Sequence, residues 1–409
     1  MSSNEIVMTN IELDENSLSA KDRAEIEKAQ PMWKMVLTQF MDHKLAVAGA
    51  VIIAIFMFIS IFANQIQSIT GIDPDAQNVS NRYLSPWTTA LAGPDVRETA
   101  VERFIMNNPE ASDKVQKALI EKGLVAVAEA DAIYELVATK EPAAVLADLK
   151  SLDIPDTKNL ITSVKDFETF HFLGTDELGR DVFIRLVYGT RVSMGVGVLV
   201  AIASALIGLL IGSIAGFYGG WIDTVLMRIT DALLSLPTIP VLIVMAAVDL
   251  SKFEWIRESK LITPSNESII KMVIILCIFS WMTVARLVRG SILSIREREF
   301  VLAARTLGAG DGTIIVRHMF PNVIAPMLVS ITLGVGESIL FEAALSFLGL
   351  GIQPPTPSWG NMLNNAQELI YQAPFLAILP GILILLTTIS FNYLGDGLQD
   401  AIDPKAIRR

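Results

Sequence analysis

The sequence has little of what metal centres and disulfide frameworks are made of. Its 409 residues include one cysteine, Cys277, and three histidines, His43, His171 and His318, that lie far apart. One cysteine can form neither an intramolecular disulfide nor a cysteine metal cluster, and scattered histidines offer little to a zinc site. We therefore predict no metal site in this chain.

Charged side chains are also scarce. Only 18% of the residues are Asp, Glu, Lys or Arg, 52% are hydrophobic, and the mean hydropathy is +0.50. A soluble domain carries about 25% charged residues, so this composition predicts an integral membrane protein and excludes a disordered chain. The net charge of −11 removes any electrostatic case for nucleic acid as a partner.

Long apolar runs provide the membrane-crossing helices. A helix needs about 20 mostly apolar residues to cross about 30 Å of hydrocarbon. The third of the apolar runs contains Pro237 and Pro240, which a bundle tolerates when neighbouring helices satisfy the freed backbone groups. We predict an all-α polytopic membrane protein with six transmembrane helices, at 45–63, 192–216, 232–248, 269–285, 323–347 and 374–394.

The distribution of Lys and Arg predicts the orientation. An even number of spans places both termini on one side, and a cytoplasmic assignment puts twelve Lys and Arg residues inside against seven outside near the spans. We therefore predict a multi-pass protein with a cytoplasmic N-terminal segment, 1–44, and a cytoplasmic tail, 397–409. The polar residues before the first span have no short apolar region followed by a cleavage site, which argues against a signal peptide.

A long insertion, residues 64–171, separates the first two spans on the extracellular side. Its middle, about 95–170, is rich in Ala, Glu, Lys and Leu, and stretches such as VQKALIEKGLVAVAEADAIYELVA place apolar residues on one helical face. We predict a small α-helical extracellular subdomain that contacts a partner or shields the entry. A solvated spacer packed on the membrane core is the alternative interpretation.

The stretch 296–322, REREFVLAARTLGAGDGTIIVRHMFPN, lies between spans four and five on the predicted cytoplasmic side. Glu299 to Leu307 is expected to form a short helix, which the small residues Gly308-Ala309-Gly310 end in a sharp turn before helix resumes at Thr313. A helix with small residues followed by a tight turn is suited to a groove on another protein. The arginines around it are suited to acidic partners or lipid phosphates. An ordinary basic loop is the alternative.

The spans contain a row of small residues and two glutamates. Four small residues recur at every fourth position of the second span, a spacing that lets two helices approach closely. The alternative is that these residues face lipid and have no role. They are Ser204, Gly208, Gly212 and Gly216. Glu337 and Glu342 lie in the fifth span, where ionisable groups usually face a bundle interior or an aqueous cavity. We predict them as candidates for a translocation pathway. Hydrogen bonding to neighbouring helices, and exposure of Glu342 at the outer interface, remain open.

No catalytic constellation is visible, and we predict no catalytic residue. An ATPase would need a glycine-rich loop ending in Lys-Ser/Thr to cradle phosphates. The cluster from Gly308 to Thr313 lacks the lysine and has the wrong spacing.

The pattern Ala303-Ala304-x3-Gly308-x12-Pro321 resembles the EAA loop of ABC-transporter membrane subunits. The sequence departs from that loop at three positions, with Leu302 for its Glu, His318 for its Ile and Phe320 for its Leu. Five further segments, spread over residues 172–404, occur in the same order as in the OppC/DppC branch of the family. They are FLGTDELGRDVFIRLVYGTRVS (172–193), AGFYGGWIDTVLMRITDALLSLP (215–237), EAALSFLGLG (342–351), PSWG (357–360) and DGLQDAIDP (396–404).

This resemblance implies a type I ABC importer fold with a permease core at 172–396, and a subunit of an ATP-driven oligopeptide or dipeptide importer in a bacterial inner membrane. It implies that Ala303 through Gly312 forms a coupling helix. The coupling residues are then Ala303, Ala304, Arg305, Gly308, Ala309, Gly310 and Asp311. The insertion is longer than the family's usual first loop.

The partners implied are a second, similar permease chain in a heterodimer, two cytoplasmic ATPase subunits, an extracellular peptide-binding protein, the peptide and membrane lipid. ATP and Mg are used by the ATPase subunits, and no cofactor is bound by this chain. Nickel or another small solute is the alternative cargo. An ion-coupled secondary transporter is a different class, but the two halves of the chain show no internal repeat of the kind typical of it.

Overall fold

The computed structural model of the chain describes residues 32–92, 94–126, 131–140, 142–155, 157–165, 167–248, 263, 266–364 and 366–402. Most of the predicted N-terminal segment 1–44, up to residue 31, and the end of the predicted tail, from residue 403, lie outside the described residues. The described part is helical apart from one two-stranded ribbon, which agrees with the predicted all-α class.

The helices fall into a membrane body and an inserted domain. The body contains α1 (Met32–Asp42), α2 (Lys44–Ile61), α3 (Ala63–Thr70), a 3₁₀ turn (Val79–Asn81), α9 (Val182–Tyr218), α10 (Gly220–Leu234), α11 (Thr238–Ala246), α12 (Glu267–Ile295), α13 (Glu299–Thr306), α14 (Asp311–Thr313), a π-helical turn (Ile314–Met319), α15 (Phe320–Phe347), α16 (Trp359–Met362), α17 (Ala366–Leu369) and α18 (Phe375–Ile402). The inserted domain contains α4 (Pro94–Asn107), α5 (Pro109–Glu121), α6 (Ala132–Thr139), α7 (Pro142–Ser151) and α8 (Thr157–Lys165). Strands β1 (Thr88–Leu91) and β2 (Glu168–His171) flank it.

Within the part of the chain that the structure describes, five helical segments are long and apolar enough to cross a membrane: α2, α9, α12, Asp311–Phe347 and α18. A bent pair, α10 with α11, raises the number to six if the pair is one span. The last helix, α18, continues beyond the predicted span 374–394 to Ile402, so the described start of the predicted tail, 397–402, is helical.

The third predicted span, 232–248, is not one continuous helix. The chain bends by 85° between Leu234 and Thr238. Pro237 lacks a backbone N–H and disfavours helical geometry at the residue before it, so the helix ends and restarts there.

The bent pair nevertheless runs back along α12 from one end to the other. Asp223 and Asp231 of α10 form ion pairs with Arg289 and Arg286, near the end of α12. Leu242 of α11 belongs to an apolar cluster with residues near the start of α12, namely Met272, Ile275 and Leu276. The pair therefore returns the chain to the side on which α12 begins.

Contacts between helix ends fix which segments share a side. The Gln39 side chain donates a hydrogen bond to the Asp400 carbonyl at 2.9 Å, so the start of α2 lies beside the end of α18. At the other end of α2, the Ser60 carbonyl accepts a hydrogen bond from Arg191 of α9 at 3.1 Å. The 37 residues of α9 then extend about 55 Å back to the side of α1. The insertion therefore lies on the side opposite to α1, the end of α18 and the stretch 296–322.

The insertion folds as helices around a hydrophobic core of its own. Each helix buries an apolar stripe against the others. The core side chains include Val101, Phe104, Val115, Leu119, Ile133, Leu136, Leu149, Leu160 and Phe167. Antiparallel pairing of β1 with β2, in the register Thr88–His171 to Leu91–Glu168, brings the two ends of the domain together.

Candidate coupling site and buried polar groups

The stretch 296–322 forms two short helical segments rather than one coupling helix. α13 ends in a Schellman motif, in which the Gly308 N–H donates to the Arg305 carbonyl and the Ala309 N–H to the Ala304 carbonyl, each at 3.0 Å. Gly308 has a φ of 81°, in the left-handed region that glycine adopts at low cost. The expectation of a single helix from Ala303 through Gly312 is therefore wrong, because the left-handed residue ends the helix before α14 begins.

The two alanines of the motif point in different directions. Ala303 is exposed, whereas Ala304 is only 8% exposed and belongs to an apolar cluster with Val301, Ile314 and Met319. The side chain of Ala304 therefore packs inside this chain, and Ala303 is the one of the two that a partner could reach. The Ala304 methyl group packs in the same cluster as Ile314 and Met319 of the π-helical turn.

The surface of this site carries large apolar side chains. Phe300, Ala303 and Leu307 follow at spacings of three and four residues and so lie on one side of α13. Leu307 is 88% exposed and Val316, beyond the turn, is 66% exposed. Gly310 and Asp311 are also exposed in the turn, and Ala309 is partly buried.

The site is tied to the ends of the long helices. The Arg305 guanidinium lies over the Phe217 ring of α9, 5.4 Å from its centroid. Arg296 donates a hydrogen bond to the Gly216 carbonyl at 3.2 Å. Arg305 thus links α13 to the end of α9, and Arg296 links the end of α12 to the same end of α9.

The four small residues of α9 face α12. A Cβ built on Gly208, Gly212 or Gly216 meets atoms of α12 at 2.6, 2.5 and 2.9 Å respectively. Ser204 is buried at the start of the same stripe. The absence of side chains thus permits the close packing of these two helices.

Glu342 is fully buried and accepts hydrogen bonds from two serines. Ser193 of α9 donates to its Oε2 at 3.0 Å, and Ser346 donates to its Oε1 at 2.7 Å. The Ser193 hydroxyl in turn accepts a hydrogen bond from the Trp359 N–H, and the Ser346 hydroxyl accepts one from the Ile352 N–H, both at 3.1 Å. Glu342 is therefore not exposed at the outer interface, and it hydrogen-bonds to a neighbouring helix, α9. Its role in a translocation pathway stays a prediction. The hydrogen-bond network around the Glu342 carboxylate therefore links α9, α15 and α16.

Glu337 has the opposite placement. It is exposed on α15, between residues that pack inward, and forms no ion pair or hydrogen bond with any residue that the structure describes. A carboxylate in the middle of a membrane helix is costly on a lipid-facing surface. This face of α15 must therefore meet another polypeptide or water.

Two comparisons with known proteins bear on this arrangement. The family model described as "Binding-protein-dependent transport system inner membrane component" matches residues 208–408, and "N-terminal TM domain of oligopeptide transport permease C" matches residues 31–86. The chain is 42% identical to the dipeptide transport system permease protein DppC of Alkalihalophilus pseudofirmus over 235 residues, which are 58% of this chain and 72% of that protein. It is 41% identical to the glutathione transport system permease protein GsiD of Pectobacterium atrosepticum, with 58% and 73% covered, and 43% identical to the GsiD protein of Escherichia coli, with 58% and 72% covered.

The chain belongs to this permease family. It is a membrane-embedded transport subunit of an ABC transporter, and permeases of this family have no ATPase site of their own. The permease carries Leu302 where the family loop has glutamate, and that leucine is exposed.

The sequence analysis did not identify the polar cluster of His171 and Asp181 at the N-terminus of α9 in this permease. His171 Nδ1 lies 2.6 Å from Asp181 Oδ2, while Asp181 Oδ1 caps α9 by accepting the Ile184 N–H at 3.0 Å. Both His171 and Asp181 are buried. The segment GTDELGRDV carries no signal for this contact in the sequence, and only the fold shows that His171, at the end of β2, lies against Asp181 ten residues later.

Proposed function

We propose that the chain is one of two permease subunits of an ATP-driven peptide importer in a bacterial inner membrane. The relatives named for dipeptide and glutathione transport support peptide as the cargo. In this proposal both termini and the stretch 296–322 are cytoplasmic, and the inserted domain is outside.

The exposed apolar stripe of α13 is the observation that carries the proposal. Leu307 is 88% exposed on the same side of α13 as Phe300, and Val316 beyond the turn is 66% exposed. Large exposed apolar side chains of this kind are typical of a surface that a partner covers. An ATPase subunit docked on this stripe uses ATP and Mg, and its movement reaches α9 and α12 through Arg305 and Arg296. Leu302 removes the carboxylate of the family loop, so apolar contact and arginines supply the docking.

The face of α15 that carries Glu337 supports a second permease chain. The two permeases pack across this face and enclose an aqueous pathway into which the carboxylate points, where it meets the peptide or water. Rocking of the packed helices then opens the pathway alternately to the two sides.

An extracellular peptide-binding protein delivers the peptide from the side of the inserted domain. The domain lies at the entry end of α9, where it contacts the docked binding protein or shields the entry. Lipid surrounds the apolar outer faces of α2 and α9, which expose residues such as Ile55, Phe58, Leu206 and Leu210.

The test is co-purification of the tagged chain from cells that express the whole transporter. The wild type is expected to bring down a second permease and two ATPase subunits, and the Phe300→Glu variant is expected to retain the permease and lose the ATPases. Recovery of ATPases at wild-type level with Phe300→Glu contradicts the docking assignment. A chain that brings down no ATPase at all contradicts the importer.

A further inference from the structure

A large cleft lies outside the membrane-spanning helices, between the inserted domain and the membrane body. Its volume is about 910 Å³. The walls come from the segment after α3, from α4, from β2 and from the root of α9. A volume of this size falls within the range of pockets for small molecules, about 300–1,000 Å³.

Groups of both charges line the cleft. Arg103 of α4 is exposed and has no hydrogen-bond or ion-pair partner among the residues that the structure describes. Asp73 and Glu168 supply carboxylates from two other walls. A guanidinium without a partner is suited to a ligand carboxylate, and the carboxylates are suited to an ammonium group.

The remaining wall is apolar. Val96, Phe170 and Phe172 line it and are each more than a third exposed. Trp87 packs edge-on against both phenylalanines, with centroid separations of 6.0 and 4.6 Å, and this holds their rings in place. Apolar walls with a few charged groups are typical of sites that bind amphipathic small molecules.

We propose that this cleft binds a short peptide in its zwitterionic form. Arg103 holds the terminal carboxylate, Asp73 and Glu168 attract the terminal ammonium, and the aromatic wall covers the side chains. This inference rests on the proposed function and adds a peptide site to the permease itself. Arg103 and Glu168 lie outside the ranges 31–86 and 208–408 matched by the family models, whereas Asp73 lies inside the first range, so the insertion supplies only part of the site.

The experiment measures peptide binding by calorimetry to the complete transporter in nanodiscs, without ATP and without the binding protein. The probes are trialanine and trialanine amide, which lacks the terminal carboxylate. Trialanine is expected to bind saturably, and about tenfold more tightly than the amide, because one charge-assisted contact is lost. The Arg103→Ala variant is expected to bind trialanine about tenfold more weakly than the wild type and to bind trialanine amide with unchanged affinity.

The Lys158→Ala variant is the control, because this exposed lysine of α8 does not line the cleft. It is expected to bind both probes as the wild type does. Equal binding of the two probes, no saturable binding, or full discrimination retained in Arg103→Ala would each overturn the proposal. ATP-driven uptake by the same preparation is measured separately, so that a failure of the cleft is distinguishable from a failure of the importer.

Discussion

Replacing Leu307 with alanine tests whether the exposed stripe of α13 is a docking surface. The side chain is 88% exposed, so its loss is expected to change the free energy of unfolding of the permease by no more than about 0.5 kcal/mol. If an ATPase subunit buries it, the variant loses three carbons at about 0.8 kcal/mol each, or about 2 kcal/mol of binding free energy. That weakens ATPase binding about 30-fold.

The assay is titration of the permease pair in nanodiscs with the purified ATPase subunit, followed by measurement of peptide-stimulated ATP hydrolysis. Leu210→Ala is the matched control, because Leu210 is 65% exposed but lies within the membrane-spanning part of α9. The control is expected to bind the ATPase like the wild type. Equal ATPase affinities for Leu307→Ala and the wild type would refute the reasoning.

Three further predictions concern the turn, the helix packing and the orientation. Gly308→Ala is expected to destabilise the permease by about 1 kcal/mol, since φ is 81° there. Gly310→Ala is expected to have little effect, because Gly310 has a φ of −69° and open space around it. Equal thermal unfolding midpoints of the two variants contradict this prediction. Gly212→Ala is expected to lower the free energy of unfolding by about 1–3 kcal/mol, because a Cβ at Gly212 meets the Ala285 carbonyl at 2.5 Å. Gly195→Ala, on the same helix, is the control, because a Cβ there meets no atom within 4 Å. Equal stabilities of the two variants on unfolding in detergent contradict the packing. A cysteine in place of exposed Lys117 is expected to react with an impermeant thiol reagent in intact cells, and reaction only after permeabilisation contradicts the outside placement of the insertion.

Features with a short-range physical cause could be predicted from the sequence. The long apolar helices follow from the thickness of the bilayer, and the end of α13 follows from a glycine that can adopt positive φ. The apolar run 232–248 predicts one helix, although the dipeptide Leu236-Pro237 contains a signal for the bend. Hydropathy alone does not register that signal.

Features that depend on packing could not be predicted. Ala303 and Ala304 are chemically identical in the sequence, and only the contacts of α13 with the cluster around Ile314 show that one faces inward. Glu337 and Glu342 lie five residues apart on one helix, yet one is exposed and the other is enclosed by serines from two helices. The same holds for the cleft, whose walls come together only when the ribbon closes.

The central claim is tested most directly by uptake of a labelled peptide into proteoliposomes that contain the permease, its partner permease and the ATPases. Peptide-loaded binding protein is supplied on the side of the inserted domain, and ATP with Mg on the side of α13. The account predicts accumulation that requires both, and that falls strongly when Leu307→Ala replaces the wild-type permease. Uptake driven by an ion gradient without ATP would contradict it.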